Sequence, residues 1–466
     1  MDRRKEQVRK KTGIVLAMLL ALAMVLSLAV TALAEDPRNI TIGLWWDIYY
    51  DSNDESWEDN EAATGKDSDL MRFDNVKNIE NTYGVTYEFQ NLTYAGVQDS
   101  VNNSILAGEP DCDVYMVELG WGVPAVMNGY AMDLREVLDP DDPLLTHNDT
   151  VMNYVALESG AVSLLTVNGA EDQVAATYPL AFNLQMIEEA NLEDPRDLAA
   201  RGEWTWDKFR EYCIALTKDN DGDGVTDVYG YGAWITDCLP YWYMSNGTTL
   251  ASSPKENLSS VEMGETLKFL QDLWLTDKAA YPLPEENGWD VCRWLYRDKK
   301  VAFTTTAAWI MANYDDYNWD GKAETTLDFD MVFVDYPIGP HGNAETNATK
   351  IAAGSFYFIP VGIENPKLVY DVFRAYQNWY HDDTALRDDP EELEWWYTTT
   401  SDKLDLQEWN FEIMKKMGEK TVVDFAGTVL GEMPLVEFIN GEKTPAQLQE
   451  EYKQVVQDTL DQIFGA

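Results

Sequence analysis

Asn39-Ile-Thr-Ile-Gly-Leu-Trp-Trp46, Val85-Thr-Tyr-Glu-Phe89 and Cys112-Asp-Val-Tyr-Met-Val117 decide the fold of this chain. Each is a short run of β-branched and aromatic residues of strand length. The stretches between them carry helical signals. A helix is predicted through Phe73–Tyr83, stopped by Gly84, and another from about Tyr94 to Leu106, ended by Gly108. Strands alternating with helices build parallel β-α-β units, so the fold class is α/β. In such sheets ligands lie outside the carboxyl ends of the strands. Those ends carry Trp45, Trp46, Glu118 and Trp121, with an acidic loop from Asp47 to about Asp69 beside them.

Composition bounds the rest. The chain has 466 residues, 45% hydrophobic and 12% aromatic, enough for a large core in two or three domain-sized units. With 82 Asp+Glu against 34 Lys+Arg the formal net charge is −48. This argues against nucleic acid and anionic membrane as partners, because phosphate binding needs a basic surface. Cys112, Cys213, Cys238 and Cys292 show no C-x-x-C spacing, which excludes a disulfide scaffold and a zinc ribbon and leaves buried thiols or one disulfide. His147, His341 and His381 are too scattered for a triad, and no G-x-S-x-G, Walker loop or dinucleotide fingerprint occurs.

The first 34 residues differ from the remainder. A basic start (Arg3, Arg4, Lys5, Arg9, Lys10, Lys11) precedes an apolar run from Ile14 to Val30 and the A-x-A pattern Ala32-Leu33-Ala34. This reads as a secretory signal peptide cut after Ala34, and no Cys near the cut supports lipid attachment. Further along, Thr205 caps a helix over Trp206–Leu216 with Phe209 and Cys213 on one face. Asn365-Pro366 supplies an N-cap and first-turn proline before the stripe Val369, Val372, Phe373, Tyr376 and Tyr380. Thr444-Pro-Ala-Gln447 is a capping box opening a last helix with Leu448, Tyr452, Val455, Val456 and Ile463 inward. There is no repeat and no low-complexity linker, which suggests interleaved domains.

In this order and spacing the segments resemble the extracellular solute-binding proteins of ABC sugar importers, the maltose-binding-like group (family 1). The resemblance rests on Leu106-Ala-Gly-Glu-Pro-Asp-Cys-Asp113, Tyr178-Pro-Leu-Ala-Phe-Asn183 with Ile187-Glu-Glu-Ala-Asn-Leu192, Trp204-Thr-Trp-Asp-Lys-Phe209, and Ala353-Gly354 through Asn365-Pro366. A lipobox Cys, common in Gram-positive members, is missing. The resemblance implies a two-lobe, type II periplasmic-binding-protein-like fold with hinge strands and an interlobe cleft. It places residues 35–180 in lobe 1, 181–352 in lobe 2, 353–400 back in lobe 1 and 401–466 in lobe 2. It implies an exported, monomeric protein that binds an oligosaccharide, presents it to ABC permease membrane subunits, catalyses no reaction and requires no cofactor.

Sugar rings stack their C–H faces on aromatic platforms while carboxylates and amides meet the hydroxyls. The candidates are Trp45, Trp46, Glu118 and Trp121 in the first lobe, Trp242, Tyr243, Asn246 and Trp309 in the second, and Phe356 and Tyr357 on the returning strand. Trp395, Trp396 and Trp409 read as packing or rim residues. The sharpest local motif is Asp219-Asn-Asp221-Gly-Asp223-Gly-Val225-Thr-Asp227. Its carboxylates stand where an oxygen cage for calcium needs them, Gly224 allows the bend and Val225 offers a carbonyl. At loop position 12, counting Asp219 as the first, stands Gly230 rather than Glu, so the bidentate ligand is missing, and a solvated acidic turn is the alternative. Asp316-x-Asn318-x-Asp320-Gly321 is a poorer echo. The rival function is a secreted glycan-active hydrolase with paired carboxylates. A sugar-sensing subunit presenting ligand to a receptor is the third reading.

Overall fold

A computed structural model describes residues 37–45, 50–60, 63, 65–142, 145, 160–166, 178–284, 288–311, 327–344, 347, 356–387, 389, 398, 400–420 and 422–464. The expected signal segment, Trp46, the Ala353-Gly354 start of the returning strand, Trp395-Trp396 and the second acidic loop (Asp316, Asn318, Asp320, Gly321) lie outside these residues.

The three runs that decide the fold are strands β1 (Arg38–Leu44), β2 (Val85–Asn91) and β3 (Val114–Val117). β1 lies between the other two and pairs in parallel with both. Helix α1 (Asp67–Tyr83) connects β1 to β2, and α2 (Tyr94–Ala107) connects β2 to β3. α1 starts six residues before the predicted Phe73, because Asp69 accepts the backbone N–H of Gly65 and Lys66 and closes its first turn. Gly84 ends it in the left-handed conformation, φ 66°, as predicted. After β3 comes α3 (Leu119–Met127), then the short β4 (Leu165–Thr166).

The chain then enters a second sheet, made of β5 (Leu180–Asn183), β6 (Tyr229–Tyr231), β7 (Val301–Thr305) and β8 (Met331–Val334). The longer helices among these strands are α4 (Trp206–Leu216), α5 (Ile235–Ser245), α6 (Val261–Gln271) and α7 (Gly288–Arg297). β9 (Phe356–Phe358) returns to the first sheet, followed by α8 (Pro366–Gln377). The tail holds α9 (Leu404–Glu419), α10 (Ala426–Val429), α11 (Leu435–Ile439) and α12 (Pro445–Phe464). The strand orders are β2-β1-β3-β9-β4 and β6-β7-β5-β8. β9 runs antiparallel to β3 and β4, and β5 antiparallel to β7 and β8.

Two cores follow from these layers. One fills the space between the first sheet and α1 and α8, with Ile40, Ile42, Ile79, Tyr87, Met116, Val369 and Phe373. The larger runs from the other face of that sheet (Tyr115, Val117) and α3 (Val123) to the second sheet (Phe182, Phe303, Val332) and the C-terminal helices (Phe438, Leu448, Leu460). The predicted caps hold at Thr205, which accepts the N–H of Lys208, and at Thr444, whose hydroxyl and backbone exchange hydrogen bonds with Gln447. At the start of α8, Asn365 sits at φ 50° and its side chain makes no cap. Tyr380 lies beyond the end of that helix, and Val455 faces solvent rather than the core.

All four cysteines are buried and free, which decides between the two thiol readings. Burial pushes the Cys112 and Cys238 thiols up to about 12 and raises Cys213 and Cys292 as well. A thiol reagent should therefore find no reactive thiol in the native protein at neutral pH and four after unfolding. Rapid native labelling would contradict this burial.

Candidate ligand-binding cleft

Parallel pairing puts the carboxyl ends of β1, β2 and β3 on one edge, and the residues just past them meet there. Trp45 follows β1, Tyr94 opens the helix after β2, and Glu118 and Trp121 follow β3. Trp45 meets Tyr94 and Trp121 edge-on, with ring centroids 5.7 and 5.8 Å away, and Tyr94 lies 4.6 Å from Trp121. The Tyr94 hydroxyl donates to Glu118 Oε2 at 3.1 Å. Three of the four first-lobe candidates thus come together, joined by Tyr94, while Trp46 lies outside the described residues.

The second sheet supplies an opposing wall. β6 and β7 are parallel, and past their carboxyl ends lies a pocket lined by Tyr178, Trp234, Asp237, Cys292, Arg293, Thr304, Thr305 and Ile310. Trp234 precedes α5 and Asp237 lies in its first turn. The Arg293 guanidinium is buried over the face of Trp294, 4.0 Å from the ring centroid. Partial burial raises the Tyr94 phenol above the usual tyrosine range, and the negative charges of Glu118 and then of Asp237 raise it further. The charge of a second-lobe carboxylate is thus felt at a phenol of the first.

Several second-lobe candidates are corrected. Trp242, Tyr243 and Asn246 are completely buried. Trp242 Nε1 donates to the Tyr231 hydroxyl at 3.1 Å, and the Tyr243 hydroxyl donates to Asp424 at 2.9 Å. Asn246 donates to the Glu262 carbonyl at 2.9 Å and accepts the His341 N–H at 3.0 Å. The physical reason is that α5 is apolar around most of its circumference from Cys238 onward, which makes it a core helix rather than a cleft wall. Phe356 and Tyr357 are buried too. Neighbouring strand residues point to opposite faces, so Phe356 enters the larger core and Tyr357 packs on Phe373 of α8, 5.0 Å away. The backbone of Trp309 lies in the short helix Ala308–Met311, and its side chain is outside the described residues. Of the packing and rim readings Trp409 takes the rim: it is exposed, and its indole N–H donates to the Phe333 carbonyl at 2.8 Å.

Tyr94, Trp234 and Asp237 were missed, although one signal could have found them. Each follows the carboxyl end of a parallel strand within a few residues, the same rule that picked out Trp45 and Glu118.

The acidic loop between α4 and β6 is exposed. Asp219, Asp221 and Asp227 bring carboxylate oxygens within 4.8 Å of one another, whereas Asp223 is not part of that cluster. Asp219 accepts the N–H of Gly222 at 2.7 Å and of Gly224 at 2.8 Å, and Gly224 sits at φ +92°. The Gly224 and Gly222 amides hold the Asp219 carboxyl below the usual range. The absent twelfth-position ligand has a steric cause. A Cβ on Gly230 would lie 2.3 Å from the Cα of Cys213, so no glutamate fits where the strand crosses α4. A three-carboxylate donor set of this kind suits a hard divalent cation.

Two α/β lobes, each with aromatic and carboxylate side chains past the carboxyl ends of its parallel strands, define a two-lobe ligand-binding protein of the type II architecture. The profile of bacterial extracellular solute-binding proteins matches residues 74–378, and the chain belongs to that family. No curated protein sequence matches the chain. Solved structures agree on the fold. An ABC substrate-binding protein from Listeria monocytogenes in complex with cycloalternan is 15% identical with a TM-score of 0.62, over 92% of this chain and 100% of that one. The maltose/maltodextrin-binding domain from Bdellovibrio bacteriovorus bound to maltotriose is 13% identical with a TM-score of 0.57, over 90% and 99%. A solute-binding protein from Thermotoga lettingae bound with alpha-D-tagatose is 17% identical with a TM-score of 0.57, over 92% and 100%. No described helix is long and apolar enough to cross a membrane.

The correction at Trp242 has a direct consequence. Trp242→Ala should remove about 3–5 kcal/mol of stability, as large aromatic deletions from a packed core do. Thermal or urea unfolding measures this, and a near wild-type midpoint would return Trp242 to the cleft.

Proposed function

We propose that this protein is an exported, monomeric carbohydrate-binding protein that delivers an oligosaccharide to the membrane subunits of an ABC permease. The observation that carries this reading is the Trp45–Tyr94–Trp121 cluster with Glu118 in the first lobe, with Trp234 and Asp237 lining a pocket of the second. Aromatic faces take the C–H faces of sugar rings, and the carboxylates accept from ring hydroxyls. The carbohydrates held by the solved neighbours support the same class. A ligand touching both walls stabilises the arrangement in which the lobes approach, and its binding energy shifts the population toward that arrangement. A permease that recognises this arrangement would discriminate loaded from empty protein. No bond in the sugar is made or broken in this cycle, and the segment ending at Ala34 acts as the export signal.

Titration with a panel of malto- and cyclic oligosaccharides should change intrinsic Trp fluorescence and raise the melting temperature by mass action. Trp45→Ala or Tyr94→Ala should weaken the binding by about 1–3 kcal/mol while leaving the fold intact. Turnover of the panel to products would instead favour the hydrolase.

The Asp219–Asp227 loop is proposed to hold a structural calcium ion through Asp219, Asp221 and Asp227, with the carbonyl of Val225 as a further donor. Mutual repulsion of the carboxylates becomes attraction to the ion, which fixes the turn between α4 and β6. Calcium should raise the melting temperature and chelation should reverse the rise. Asp219→Ala with Asp221→Ala should abolish that response and keep most of the sugar affinity. An unmoved wild-type melting point would leave a solvated turn, and loss of sugar binding in the stable double variant would move the loop into the cleft.

A further inference from the structure

We infer that Gly120 is a positioning residue whose contact with Gly427 sets how closely the two lobes can approach, and hence the affinity of the cleft. The inference rests on the ligand-binding reading of that cleft and concerns a contact outside it. Gly120 is the second residue of α3, in the same turn as Trp121 and next but one to Glu118. A Cβ built on Gly120 would stand 2.8 Å from the carbonyl oxygen of Gly427 and 3.3 Å from its carbon. That is well inside van der Waals contact, and the obstacle is backbone, which cannot swing aside as a side chain could. Gly427 lies in α10, and the segment before it is fastened to the other lobe. Buried Asp424 accepts the Tyr243 hydroxyl of α5 and the backbone N–H of Leu250 and Ala251, each at 2.9 Å, and the N–H of Ala426 at 3.0 Å. The Phe425 N–H donates to the Ala251 carbonyl at 3.1 Å.

One turn of α3 therefore does two things. It presents Glu118 and Trp121 to the cleft, and through a side-chain-free position it rests on a backbone segment bolted to the second lobe. In the same arrangement the Asp237 carboxylate acts electrostatically on the Tyr94 phenol. A methyl group at position 120 would wedge the resting point apart and disfavour that same arrangement. The cleft residues would keep their identity but meet less often, so the apparent affinity would fall by the lost fraction of the competent state. The contact is asymmetric. A Cβ on Gly427 would find Gly120 only at ordinary distances of 3.6 and 3.8 Å, and a Cβ on Gly431 would touch nothing within 4 Å.

The test compares wild type, Gly120→Ala and Gly431→Ala in the full chain. Spin labels on Leu106→Cys in α2 and Val261→Cys in α6, both exposed, report the interlobe distance with and without oligosaccharide. Gly120→Ala should shift the ligand-free distance distribution, speed sugar dissociation and weaken affinity about tenfold, with an unchanged circular dichroism spectrum. Gly431→Ala should behave as wild type. Tyr243→Phe, which removes one donor to Asp424 and keeps the ring, is the second lever and should broaden the same distribution if Gly120→Ala does not fold. Wild-type distances and rates in Gly120→Ala, or in Tyr243→Phe where that variant stands in for it, would overturn the inference. If no panel sugar binds the wild type, the carbohydrate reading fails. The ligand-free distances then decide alone, and an unshifted distribution overturns the role of Gly120.

Discussion

The parallel pairing of β1 with β2 and β3 is the constraint on which the rest depends. Parallel strands need crossovers, so each must be followed by a helix that covers the sheet. They also end at a common edge. Without that geometry Trp45, Tyr94, Glu118 and Trp121, which span 77 residues of sequence from first to last, would have no reason to meet. The second sheet repeats the device on a smaller scale with β6 and β7, whose ends bring Trp234, Asp237, Thr304 and Thr305 to one pocket.

The antiparallel strands do the complementary work. β9 returns from the second half of the chain to pair with β3, and β5 leads from the first half into the second sheet between β7 and β8. Both are buried, so their side chains are consumed by packing. The aromatic residues of this protein accordingly divide into two populations. Tyr115, Phe182, Phe209, Trp242 and Phe303 fill the interior and bury their whole surface. Trp45, Trp121 and Trp234 pack against the core but stay only partly buried.

The acidic composition has a place in this arrangement. Carboxylates are held by backbone donors where they shape turns, as at Asp219, or by hydroxyl and amide donors where they join segments, as at Asp424. Asp330 shows a third mode. It receives Ser401 at 2.6 Å and Lys403 at 2.7 Å, tying the start of β8 to the beginning of α9. Desolvation works to raise this carboxyl, yet the lysine, the hydroxyl and Gln185 together hold it below the usual range.

The alternation of strand and helix, the caps at Thr205 and Thr444 and the aromatic cluster past β1 and β3 were legible in sequence, because each depends on neighbours a few residues away. The rule that ligands gather at the carboxyl ends of strands pointed to Trp45, Glu118 and Trp121 without any coordinates. Tertiary structure alone decided which other aromatics reach that space. Trp242 and Trp234 stand eight residues apart and look alike as letters, yet one lies inside a helix enclosed on every side and the other at its partly buried N-terminal end. The same holds for Phe356 and Tyr357, whose faces are assigned by the pairing of β9 with β3 and β4, and for Gly230, which is glycine because a helix backbone passes 2.3 Å from where its side chain would begin. Burial and close approach are properties of pairs of distant segments, and a single stretch of sequence carries only its own half of each pair.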